Sequence, residues 1–149
     1  MLDMAKENDI DIYENYDFSG TRIKGLYCDG NIALSKDLHT EAEKKCVLAE
    51  EIGHRETSYG NIIDIADTSN RKQEQRARVW AYAQLLPLNR LIEAYEHGCR
   101  NRFEIADYLN ITEEFLIETL DYYKAHYGPY TSFNGYLIYF EPLGIMKLL

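Results

Sequence analysis

The stretch "CVLAEEIGH", residues 46–54, sets two adjacent carboxylates and a histidine into an otherwise apolar run. An ionised carboxylate in apolar surroundings is costly unless it is paired or bound to a metal. On a helix, residues four apart project from one face at neighbouring turns, so Glu50 and His54 can hold one metal ion between them. Glu51 stands about 100° round the helix from Glu50, beside such a site rather than in it. This is the spacing of H-E-x-x-H, in which residues at i and i+4 hold Zn2+ and the intervening Glu is the general base. Here a Glu takes the first ligand's place. A third ligand should come from another helix. Glu74, 20 residues after His54 and one turn into "NRKQEQRARVWAYAQLLP", has the right placement. Plainer readings exist for each residue. The first string also reads as a surface helix with an acidic pair and a capping histidine, and Glu74 as a favourable charge in a first helical turn. Spacing alone leaves both open.

The elements that carry these groups follow from periodicity and punctuation. With residues 42–54 on a helical wheel, Ala42, Cys46, Ala49 and Gly53 share one narrow side. All are small, so a neighbour must pack very close there. Val47, Leu48 and Ile52 cover much of the remaining circumference, which marks a central helix. "TEAE" is a capping box with Thr40 as N-cap and Glu43 three residues on. The helix should run to about Arg55, before the loop "ETSYGNIIDIADTSN". A second helix is expected from near Arg71 to Leu86, ended by Pro87, and a third, "LNRLIEAYEHG", is closed by Gly98. "RFEIADYLNITEEFLIETLDYYKAHYG" predicts a helix, a short turn at Asn110, and a helix capped by Thr112 with Glu113 and Glu114 in its first turn. Ahead of these lie short strands. "IDIYENY" is followed by the turn cluster "DFSGT", and "RIKGLYC" and "NIALS" flank Asp29-Gly30, a hairpin signal. The tail "YTSFNGYLIYFEPL" makes a second hairpin about Asn134-Gly135. The sum is an α+β chain, mostly helical, with a small antiparallel sheet at one end. With no linker, hinge or repeat, residues 1–149 are expected to form a single domain.

Composition narrows the function classes. The chain is 46% apolar and 28% charged, an ordinary globular balance. Its 13 tyrosines supply core bulk with a polar tip. A formal charge of −9 argues against a nucleic-acid binder, which needs a basic face. The helical pair at 102–126 sets two cations, Arg102 and Lys124, against six carboxylates, a net −4. No apolar run approaches the roughly 20 residues that span a bilayer, and "MLDMAKENDIDIY" lacks a signal peptide's basic start and apolar core. Cys28, Cys46 and Cys99 are odd in number and contain no CxxC pair, which suits thiols in a reducing cytoplasm. Cys46 and His54, eight residues or about 12 Å apart along a helix, are too far apart for a nucleophile–base pair. Of the other histidines, His97 before Gly98 reads as a helix C-terminal charge. His39 and His126 sit beside helix ends, and His39 is the spare ligand to keep in view.

Taken together, "CVLAEEIGH", "EQRARVWAYAQLLP" and "EIADYLNITEEFLIETL" resemble the ImmA/IrrE family of metallopeptidases, in order and spacing and over nearly the whole chain. The family's strings are like A-H-E-L-G-H, then E-x-x-A-N-x-F-A with a following L-L-x-P, then a helical pair. The resemblance implies a zincin-like metallopeptidase domain with a C-terminal helix-turn-helix-like segment. It matches Glu51 to the catalytic Glu, His54 to the second metal ligand and Glu74 to the third. Trp80 stands where an aromatic packs the second helix. Glu50 occupies the place of the first metal-binding His, and Arg76 and Arg78 replace an acidic residue and an Asn common there. The implied cofactor is Zn2+, or Mn2+ given a set of two carboxylates and one imidazole that is harder than the family's. The strand Asn31–Ser35 is expected to pair with an extended substrate segment. The resemblance further implies the kind of member typically carried by phages and integrative elements, which inactivates a cognate helix-turn-helix repressor. The implied partner is therefore a transcriptional repressor as protein substrate, in the cytoplasm, with neither membrane nor direct nucleic acid involved. The alternative is a non-catalytic antirepressor of the same fold that binds the repressor without cutting it, for which the Glu50 departure argues.

The net −4 over the helical pair carries its own expectation. A gel-shift titration at physiological salt should show only weak, sequence-independent DNA binding; nanomolar, sequence-dependent binding would make the pair a DNA reader.

Overall fold

The structure is a computed structural model that describes residues 2–57 and 67–149. The chain divides into two compact units, Met1–Ala81 and Tyr82–Leu149.

In the first unit a short helix, α1 (Leu2–Glu7), precedes three strands, β1 (Asp11–Tyr16), β2 (Gly25–Cys28) and β3 (Asn31–Ser35). The Asp29-Gly30 turn takes positive φ at both residues, 46° and 79°, as a two-residue hairpin requires. It sets β2 antiparallel to β3 with Cys28 opposite Asn31. β1 pairs with the other side of β3, in parallel, with Ile12 beside Ile32. The strand order is therefore β1-β3-β2, with β3 in the middle. The β2–β3 hairpin is antiparallel as expected, and β1 adds a parallel pair to it. One sequence expectation changes here: β3 has no open edge with which to pair a substrate, because the edges of the sheet are β1 and β2. Helix α1 was not expected either. It forms because Ala5, with Met4 beside it, packs onto the core made by Ile10, Ile32, Leu34, Leu38, Leu48 and Ile52.

Helix α2 (Glu41–Thr57) lies against β2 and β3. Half of its capping box forms as expected, the Glu43 N–H donating to Thr40 Oγ1 at 3.1 Å; the Glu43 carboxylate instead accepts the N–H of His39, one residue before the N-cap, at 2.8 Å. The helix buries Cys46, Leu48, Ala49, Ile52 and Gly53. Helix α3 (Asp67–Leu85) begins four residues earlier than the Arg71 start expected from the sequence. The middle of the expected loop, residues 58–66, lies outside the described residues. The small-residue side of α2 meets α3, as its composition predicts. A Cβ built on Gly53 would fall within 3.1 Å of the Ala77 Cα and closer still to the Ala77 carbonyl oxygen.

The second unit holds α4 (Leu88–Glu96), α5 (Arg102–Leu109), α6 (Glu113–Tyr127) and three strands, β4 (Tyr130–Phe133), β5 (Tyr136–Phe140) and β6 (Leu143–Lys147). Pro87 is the N-cap of α4. Asn110 closes α5 in the left-handed conformation and Thr112 caps α6, accepting the Phe115 N–H. Asn134-Gly135 forms the expected hairpin, and β6, not expected from the sequence, extends it to a three-stranded antiparallel sheet. Leu91, Leu109, Leu116 and Ile138 are fully buried, and the Tyr123 hydroxyl donates to the Leu86 carbonyl at 2.7 Å. No helix among the described residues is long and apolar enough to cross a membrane.

Gly53→Ala is expected to destabilise the protein by about 1–3 kcal/mol through overpacking against Ala77, where an open helical position would gain about 1 kcal/mol from the same change. Urea unfolding with an unchanged slope measures it, and a stabilised variant would mean that the two helices do not approach this closely.

Candidate metal centre

Two helices position the site. Glu50 and His54 occupy one face of α2 at successive turns, and Glu74 faces them from α3. One donor atom from each of the three lies within 4.8 Å of the others. His54 Nε2 and Glu74 Oε1 are 3.4 Å apart. Donors about 2.1 Å from a tetrahedral ion stand about 3.4 Å from each other, so this edge already has the dimension that a bound Zn2+ imposes. The donor chemistry agrees, since carboxylate and imidazole both bind first-row divalent ions. Glu50 and His54 are half-buried and Glu74 is exposed, which places the cluster at a surface within reach of solvent and ions.

Glu51 stands apart from this trio, as its position on the wheel requires. It turns toward β2, where its side chain lies against Gly25 and the backbone N–H of Tyr27 favours its charged form. Burial pushes its carboxyl above the usual carboxylate range; the nearby His54 opposes that shift and Glu50 reinforces it. A carboxyl with raised proton affinity beside the candidate ligands is a group suited to take up a proton.

Gly25 makes this approach possible. A Cβ at that position would lie 2.7 Å from Val47 Cγ1 and 3.0 Å from Glu51 Cγ. The sequence reading passed over Gly25, although a glycine inside a strand is itself a sign of close approach. Arg78 is the second residue whose part was missed. Its Nε donates to Glu50 Oε1 at 3.4 Å. Its spacing, four residues after Glu74 and hence on the same face of α3, was the available signal.

The remaining candidates stay outside the cluster. His39 is exposed, and its backbone N–H rather than its ring is engaged, by Glu43. His97 forms the C-cap of α4 and stacks on Tyr108, ring centres 4.2 Å apart. His126 stacks on Tyr122 in the last turn of α6. Trp80 is half-buried and packs against the core of the first unit, as an aromatic in its place should.

Compared with known families, residues 6–121 match the model of a peptidase family described as the IrrE N-terminal-like domain. The comparisons with curated proteins and with solved structures return no match.

Replacing a direct ligand should cost more than the roughly 10–100-fold in affinity typical of losing an outer partner. Calorimetry with Zn2+ is therefore expected to show binding lost in Glu50→Ala, His54→Ala and Glu74→Ala, and tightened in Glu50→His, which restores two imidazoles. If neither the wild type nor Glu50→His binds Zn2+ or Mn2+, Glu50 and His54 do not form a metal site.

Proposed function

The chain belongs to the family of peptidases built on the IrrE N-terminal-like domain, and from that premise we propose that it is a metal-dependent endopeptidase that inactivates a cognate helix-turn-helix repressor of a phage or integrative element. The observation that carries this reading is the convergence of Glu50, His54 and Glu74 beside the half-buried Glu51. The repressor as substrate, the cytoplasm as the place of action and the mobile-element setting rest on the resemblance of the three sequence blocks.

Glu50, His54 and Glu74 would hold the ion, Zn2+ or Mn2+. When bound, such an ion supplies Lewis-acid polarisation of a peptide carbonyl and acidifies water toward neutral pH. Glu51 does the proton work: its carboxylate takes the proton of the attacking water and delivers it to the departing amide nitrogen. Burial raises its proton affinity, which favours the uptake. Substrate alignment falls to β2, an edge strand of its sheet whose Gly25 lies against Glu51. An extended segment added along that edge would pass next to the general base.

A second reading keeps the partner and drops the chemistry: a repressor-binding antirepressor with no cutting step. The contact that favours it is the Arg78–Glu50 ion pair, which compensates the Glu50 charge without any metal.

Glu51→Gln separates the two. It is expected to retain divalent-metal affinity, since Glu51 is not a ligand, and to slow repressor cleavage by about 10²–10⁴-fold. The readout is gel-resolved cleavage of the repressor beside calorimetry. Cleavage at the wild-type rate in the variant would remove Glu51 from the mechanism. Tight repressor binding by a wild type that never cuts it would establish the antirepressor.

A further inference from the structure

Two cations have a claim on one carboxylate. Glu50 contributes a donor atom to the cluster with His54 and Glu74, and the same residue accepts the Arg78 Nε–H at 3.4 Å. Glu74 and Arg78 lie four residues apart on α3, so ligand and counter-ion reach the site from one helix face. The guanidinium stays protonated at any ordinary pH, so its charge does not vanish when a metal ion arrives. It must either move away or stay as a positive neighbour. The Arg78 side chain is 47% exposed at the end of a long stem. Glu50 is 33% exposed, so the pair itself is a partly solvated one of modest strength, weak enough to be exchanged.

We propose that Arg78 is a resident counter-cation that competes with the divalent ion for Glu50, so that the site exchanges between an ion-paired state and a metal-loaded state. This rests on the reading of Glu50, His54 and Glu74 as metal ligands. Without metal, Arg78 offsets part of the negative charge gathered by Glu50, Glu51 and Glu74. On loading, that compensation becomes repulsion: a single and a double positive charge about 6 Å apart in near-aqueous surroundings repel enough to weaken binding about tenfold. Arg78 thus sets the free-metal concentration at which the site fills. Glu50 on α2 and Arg78 on α3 act as a matched pair.

The test is Zn2+ calorimetry on untagged wild type, Arg78→Gln, Arg78→Met, Arg78→Lys and Glu74→Gln. Arg78→Gln should bind Zn2+ about tenfold more tightly than wild type. Arg78→Met, which keeps the apolar stem without the charge, should move the same way, and Arg78→Lys, which keeps the charge, should stay near wild type. Glu74→Gln should lose binding. If Glu74→Gln loses binding while Arg78→Gln and Arg78→Met bind no tighter than wild type, the metal site stands and the competition is refuted. If Zn2+ binds to none of the proteins, the metal reading and this inference fail together. Zn2+ binding that appears only when Arg78 is neutralised would be the strongest support.

Discussion

The near-contact of Gly53 with the Ala77 backbone is the constraint on which the first unit depends. Ligands carried by two helices share an ion only if the helices approach closely, and side chains of ordinary size would hold the axes apart. The stripe of small residues on α2 removes that obstacle, and Ala77, fully buried, presents its backbone to it. His54 follows Gly53 directly, and Glu74 and Arg78 lie within four residues of Ala77. The point of closest approach thus sits between the groups that meet. On its opposite flank α2 faces β2, and there Gly25 performs the same service for Glu51. Two missing β-carbons therefore set two distances, one from helix to helix and one from helix to strand.

Concentrating three carboxylates from two helices would be unfavourable in a dry core. The protein tolerates it by partial exposure and by the neighbours that two of them have: Arg78 beside Glu50 and His54 beside Glu74. The environments of the three differ, however. Glu51 is the carboxylate whose proton affinity burial raises, and it is the one outside the donor cluster.

Much of this was legible in the sequence because the signals were local. Asp29-Gly30 and Asn134-Gly135 specify hairpins through their positive φ, and Asn110 closes its helix in the same way. The i, i+4 spacing of Glu50 and His54 and the small side of α2 are visible on a wheel. What escaped is non-local or overridden by context. Nothing in β1 announces that it will lie parallel to β3, since strand order is decided by packing across the sheet. The segment "DTSN" reads as loop by propensity, yet its backbone is helical from Asp67. Helix α1 is a single short stretch that forms only by docking onto the core. At the site, Glu74 was singled out by the family resemblance added to its spacing, whereas the spacing of Arg78 from Glu74 pointed to a shared helix face but not to Glu50 as its partner.

His54 and Glu74 are separated by 20 residues and belong to different helices. An ion held by both would be a crosslink that closes a loop in the chain, available to the folded protein and largely denied to the unfolded one. Folding and ion occupancy would then be linked by mass action, so that free ion at 100 times its dissociation constant would add about 2.7 kcal/mol to the folded state. The melting temperature would then have no single value and would move with the ion activity of the surroundings.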